Sequence, residues 1–200
     1  MALRLARAVD ATENGTDPTG QEALIGRVLT PMAKFWVCKR GAGFAQEAME
    51  CLGGNGYVEE QGEGVMARIY REMPLNSIWE GAGNIMALDL KRALRTGAVA
   101  DALARELAPA QGAHPALDAA VARVLHGLDS GAGDPTDEAQ APRLARDAAL
   151  VLQAALLRQH STDAVFAAFC ASRLAEASDV YGGLPAGLDL GAIVARAQLH

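Results

Sequence analysis

An all-α fold is predicted by three features of this 200-residue sequence. Hydrophobic residues make up 50% of it and aromatic ones only 4%, so the apolar content is mainly Ala, Leu and Val. That mixture suits packed helices better than sheets. Between Gln21 and Cys51, apolar residues recur at Leu24, Ile25, Val28, Leu29, Met32, Phe35 and Trp36, then at Phe44, Ala45, Ala48 and Met49. This is the spacing of a long amphipathic helix. Clusters of turn formers separate the other helical stretches.

Leu3, Leu5, Ala6, Ala8 and Val9 read as a first short helix that begins without a cap, as in a chain cut from something longer. Asn14 to Gly20 is a loop rich in turn formers. The long helix follows, and Pro31 is expected to kink it or mark a join, because it removes a backbone donor. Lys34, Lys39 and Arg40 fall on its polar side. Gly53-Gly54-Asn55-Gly56 ends it. One glycine suffices for a helix stop; three in four residues suggest that something approaches the backbone closely.

Glu59 to Gly64 is an acidic, glycine-rich loop with no assigned function. Val65 to Met73 is predicted as a short helix, with Arg68 and Arg71 placed to pair with those acids. Pro74 stops it, and Asn76 or Ser77 can cap the next helix, whose apolar face is Ile85, Leu88, Leu90, Ala93 and Leu94. Beyond Gly97, helices are predicted over Ala98–Leu107, Ala116–Leu128, Arg143–Gln159, Thr162–Ser178 and Leu188–Leu199. Tyr181 to Pro185 breaks the last two. Leu144, Leu150, Val151, Leu152, Leu156 and Leu157 share one face that must be buried against a partner helix. The chain thus divides into a helical bundle over 1–96 and a helical extension over 97–200, with a linker near 129–137.

Charge, cysteines and hydropathy narrow the function. Net charge is −6, of which 1–96 carries −1 (11 Lys+Arg, 12 Asp+Glu) and the remainder −5 (7 against 12). An acidic chain is poorly suited to strong nonspecific binding of nucleic acid, which rests on phosphate neutralisation. Cys38, Cys51 and Cys170 are odd in number and far apart, and read as buried free thiols of a reducing compartment. The four histidines form no ligand pair, and no structural metal is expected. No apolar run is long enough to span a bilayer, and a cytoplasmic location is expected.

The stretch most able to carry chemistry is Trp79-Glu80-Gly81-Ala82-Gly83. A carboxyl packed against an indole and away from water has its pKa raised, which suits a general base near neutral pH. Small residues beside it admit a ligand to the backbone. The plainer account is a helix-start Glu that complements the macrodipole. Lys91, Arg92 and Arg95, near the end of the same helix, complement its other pole.

Three blocks, in order, carry a resemblance: Leu52-Gly53-Gly54-Asn55-Gly56-Tyr57, Ile69-Tyr70-Arg71-Glu72, and Ile78-Trp79-Glu80-Gly81. They are similar to the C-terminal domain of flavin-dependent acyl-CoA dehydrogenases. Arg71-Glu-Met-Pro-Leu-Asn-Ser-Ile-Trp-Glu-Gly-Ala-Gly-Asn84 is nearer still to the AidB (alkylation-response) branch. The resemblance covers Leu3 to about Arg95, and the helical extension fits that branch, whose members are longer at this end.

The resemblance implies FAD as cofactor and an acyl-CoA thioester as substrate, with Glu80 as the base that takes the α-proton and Trp79 in the pocket wall. It implies cofactor contacts at Gly53, Gly54, Gly81 and Asn84, those of the glycine turn to the flavin dinucleotide of a neighbouring subunit. The protein is then a homo-oligomer, dimer or tetramer. Asn84 stands where ordinary members have Glu or Gln, and Glu50 where many have Gln. The family fold also has an N-terminal helical domain and a middle β-domain, so this chain by itself is expected to be inactive. Two other functions are open: a flavoprotein that binds DNA under alkylation stress, through Lys91, Arg92 and Arg95, and a helical oligomerisation module without activity.

Overall fold

A computed structural model describes residues 1–59, 64–129, 136–176, 178 and 180–198. Its elements are α1 (Ala2–Glu13), α2 (Gln21–Glu50), α3 (Gly54–Tyr57), α4 (Val65–Glu72), α5 (Gly83–Leu94), α6 (Gly97–Leu107), α7 (Pro115–Asp129), α8 (Thr136–Ala139), α9 (Ala141–His160), α10 (Asp163–Phe169) and α11 (Leu190–Ala197). A 3-10 turn covers Met73–Ser77 and a π-helical turn Cys170–Ala175. The described residues contain no strand, as the composition predicts.

The long helix α2 is the post on which the rest is built. It buries Ile25, Val28, Leu29, Met32 and Phe35, then Ala45 and Met49, at three- and four-residue steps. Pro31 does not end it. The ring is buried within a helix that remains continuous on both sides. Phe44, expected on the buried face, is exposed at 65%.

The α5 helix buries Gly83, Ala87, Leu90, Ala93 and Leu94. Ile85 is exposed, because it lies about 200° round the helix from Ala87 at 3.6 residues per turn. Across α2 and α5 lies α9, with Ala145, Ala148, Ala149, Val151, Leu152, Ala154 and Ala155 all buried. The small alanines let the three helices approach closely. One hydrophobic core runs from Ala8 through Leu90, Leu103 and Leu152 to Cys170, so residues before and after 96 share it.

A buried cation ties the same parts together. Arg4 of α1 donates Nε and one terminal nitrogen to the two oxygens of Glu106, at 2.6 and 2.9 Å. It also donates to Glu22 at 2.6 and 3.3 Å. Its side chain is 7% exposed and those of both acids 16%. Arg27 and Asp89 form a second fork, 2.8 Å on each arm, between α2 and α5. That hydrogen bonding holds the Asp89 carboxyl below its ordinary range.

Several sequence-based expectations are revised. Asn76 and Ser77 do not cap α5: both lie in the 3-10 turn, where the Ser77 hydroxyl donates to the Pro74 carbonyl at 3.1 Å. The α5 helix starts at Gly83 with no side-chain cap. The helix predicted over Thr162–Ser178 changes pitch at Cys170, where the backbone widens to a π turn closed by Glu176 N–H to Ala171 C=O at 2.9 Å. Arg71 does pair with Glu59, at 2.6 Å, while residues 60–63 and most of the linker near 129–137 lie outside the described residues.

The cysteines differ from the expectation of three buried thiols. Cys51 is exposed, Cys38 half-buried and Cys170 buried; burial pushes the Cys170 thiol up to about 11. An aromatic disulfide reagent at pH 8 should therefore label Cys51 first and Cys38 more slowly. Cys170 should react only when the chain unfolds, which counting released thiolate with and without denaturant will check.

Candidate functional site

Three contacts from the middle of α2 position the segment from Met73 to Gly83. Lys34 Nζ donates to the Asn76 carbonyl at 3.0 Å. Gly41 leaves room for the Met73 sulfur, which would stand 3.0 Å from a Cβ there. Lys39 lays its stem across Gly83, where a Cβ would run into its Cε. The 3-10 turn and the start of α5 are therefore both fixed, and Ile78 to Ala82 spans the gap as a short projecting loop.

At the centre of that loop the backbone is strained. Glu80 has φ 49°, the one non-glycine residue with positive φ among the described residues. Gly81 follows at φ 99°. A left-handed conformation costs an L-residue about 1–2 kcal/mol, and such strain gathers at functional sites. Glu80 is exposed and has no hydrogen-bond or ion partner among the described residues. Trp79 is 52% exposed, with Ile78 and Ile85 also uncovered.

The water-excluded setting expected for Glu80 is therefore not made by these residues. The reason is local: α5 begins three residues after Glu80 rather than at Ser77, so the indole and carboxylate stand on a loop instead of packing in a helical turn. Asn84, in the first turn of α5, is exposed beside them.

Directly after α2 comes the glycine turn. Gly53 adopts φ 60°, ψ −146°, a conformation open to glycine alone. Gly56 is buried where a Cβ would collide with the Met49 carbonyl oxygen. The third glycine, Gly54, is exposed with nothing among the described residues within 4 Å of a Cβ, so their packing does not explain it. Glu50, ahead of the turn, accepts a hydrogen bond from Gln46 at 3.0 Å. In the last turn of α5, Arg92 and Arg95 are exposed and Lys91 is half-buried. Among the described residues there is no group of three potential metal ligands, and no helix is long and apolar enough to cross a membrane.

Residues 1–95 match the acyl-CoA dehydrogenase C-terminal domain. Among curated relatives, AidB of Escherichia coli (strain K12), whose name places it with the acyl-CoA dehydrogenases, is 48% identical over 129 residues. That match covers 64% of this chain and 22% of AidB. Acyl-CoA dehydrogenase family member 11 of Caenorhabditis elegans is 32% identical over 92 residues, 46% of this chain and 14% of the relative. In fold, the chain is similar to the crystal structure of Caenorhabditis elegans ACDH-11 in complex with C11-CoA. The TM-score is 0.67 at 23% identity, over 82% of this chain and 30% of that one. The chain thus spans less than a third of each relative.

Proposed function

We propose that this chain is the base-bearing C-terminal part of an FAD-dependent acyl-CoA dehydrogenase, acting on an acyl-CoA thioester. The observation that carries this is the backbone of Glu80: an exposed carboxylate, without a partner among the described residues, held at positive φ. Such a group is placed for an external partner. Glu80 takes the proton from the α-carbon of the thioester, and the positive φ of Gly81 gives the chain room to turn past the ligand.

Trp79, half uncovered, supplies apolar wall once a second surface closes over it, and that closure provides the low dielectric that Glu80 lacks here. The residues fit a dinucleotide. Gly54, which packing among the described residues does not require to be glycine, offers bare backbone to a pyrophosphate, with Gly53 setting the turn. Asn84 and Gly81, next to Glu80, would contact the flavin beside which Glu80 acts, and the glycine turn that of a neighbouring subunit. When bound, the flavin supplies the acceptor for the β-hydride. This chain's residues bind, orient and hold the proton.

The exposed apolar residues Ile78, Trp79 and Ile85 support a surface covered by further protein, from other domains of a longer polypeptide or a second subunit. Exposed Arg92 and Arg95 are accounted for by the C-terminal pole of α5. The test is anaerobic mixing of acyl-CoA with the purified proteins, loaded with FAD and desalted. A protein carrying this segment with its N-terminal and β-domains should retain flavin and lose its absorbance near 450 nm, as the substrate reduces it. The 200-residue chain by itself should retain little flavin and show no turnover. Failure of acyl-CoAs of every chain length to reduce the flavin of the longer protein would overturn the proposal.

A further inference from the structure

A cavity of about 720 Å³, with Lys39 in its lining, lies between α2, α7, α9, the π turn and residues Ser178, Val180 and Tyr181. Its size is that of a small-molecule site, and its charge sets it apart. Lys39, Arg40, Arg123, Arg143, Arg146 and Arg173 line it, six of the chain's 18 Lys and Arg residues, on a chain of net charge −6. Among its described lining residues there is one acid, Asp147. Asp147 is engaged by Arg146 at 2.7 Å and lies 3.9 Å from Arg143. Lys39, Arg123 and Arg173 have no ion pair among the described residues.

This concentration is not the ordinary solvated face of a helix, where acids and bases alternate along one element. The six cations come from α2, α7, α9 and the π turn, and converge on one hollow. Two are individually positioned. Arg40 lies over the Trp36 ring, 4.9 Å from its centroid. Arg173 is presented by the π turn, a local widening of the helix frequent at functional sites. Like charges gathered in a concavity repel each other and raise the local concentration of anions. Trp36 and Tyr181 add aromatic surface to the wall.

We propose that this cavity binds a small ligand bearing two or more linked phosphates. Guanidinium groups match phosphate oxygens in forked, charge-assisted pairs, and several cations around one hollow suit a chain of phosphates better than a single carboxylate. Lys39 borders both this cavity and Gly83, while the other lining residues lie outside the Met73–Asn84 segment, so the proposal does not depend on the dehydrogenase reading. The phosphate chemistry is common to a free inorganic oligophosphate and a nucleotide, and the aromatic wall distinguishes them: an added purine gains affinity only if it stacks there.

Isothermal titration of the chain with inorganic pyrophosphate and with ADP, at 50 and 200 mM salt, tests this. Both should bind, more weakly at the higher salt, and Arg123→Ala with Arg173→Ala together should weaken both by about tenfold or more. ADP binding more tightly than pyrophosphate assigns the site to nucleotides, and equal affinity assigns it to inorganic phosphates. Circular dichroism of the variant checks that it folds; Arg123→Lys with Arg173→Lys keeps the charge and should recover part of the loss. Three results would overturn the proposal: no binding of either ligand at millimolar concentration, binding unchanged in the double variant, or retention of duplex DNA alone.

Discussion

Replacing Arg4 by Met is expected to destabilise the chain by about 3–5 kcal/mol, the range for removing one partner from a buried ionic group. For a protein of this size, that lowers the melting temperature by on the order of 10 °C. The loss follows from what remains. Glu22 and Glu106 are each 16% exposed and face the vacated space, and their carboxylates are left close together without the cation that holds them. Arg7, 3.6 Å from Glu22, compensates one of them in part but not Glu106. A control separates this cause from lost packing. The triple change Arg4→Met, Glu22→Leu, Glu106→Leu removes the charges together and should recover most of the stability, since buried ion clusters are often replaceable by apolar residues. Thermal melts followed at 222 nm read both. Because Glu106 lies in α6 and Arg4 in α1, Arg4→Met should still unfold in a single transition if the shared core makes one cooperative unit.

The second large effect concerns Glu80. In the longer protein, Glu80→Gln keeps size and shape but cannot take a proton, and should slow flavin reduction by acyl-CoA about a thousandfold, within the usual range for a positioned base. Glu80→Gly should be as slow and yet more stable, by roughly 1 kcal/mol, because glycine adopts φ 49° without penalty. Opposite signs on activity and stability at one position are what a strained functional residue gives. If Glu80 were only a helix-start acid, both substitutions would leave the rate near that of the unaltered protein.

Much of this fold could be read from the residues, because helical periodicity is a local signal. The α2, α6, α7 and α9 helices fall where their apolar spacing puts them. What escaped was set by partners far along the chain. Nothing in its own helix marks Arg4 as buried, and only Glu22 of α2 and Glu106 of α6 make it a buried fork. The π turn at Cys170 leaves the helical pattern of residues intact while changing the pitch beneath it. Phe44 and Ile85 have the composition of a buried face, yet they are uncovered here.

At the site, the motif wording located Glu80 and the glycine turn, and glycine geometry then divided the latter into two structural residues and one, Gly54, without a packing role among the described residues. The strained φ of Glu80 and the exposure of Trp79 had no sequence signature, since both depend on α5 starting later than its cap residues suggested. The basic cavity was equally hidden. Its cations lie on separate elements up to 134 positions apart, from Lys39 to Arg173, and only the packed helices bring them together.

The most direct measurement of the role given to Glu80 is hydrogen exchange at the substrate itself. Acyl-CoA is incubated with the longer protein in D2O, and deuterium at its α-carbon is followed by mass spectrometry. This reads proton removal separately from hydride transfer. The expected result is α-deuterium with the unaltered protein and none above background with Glu80→Gln. Equal incorporation by both would show that another group removes the proton, and would contradict the assignment of Glu80 as the base.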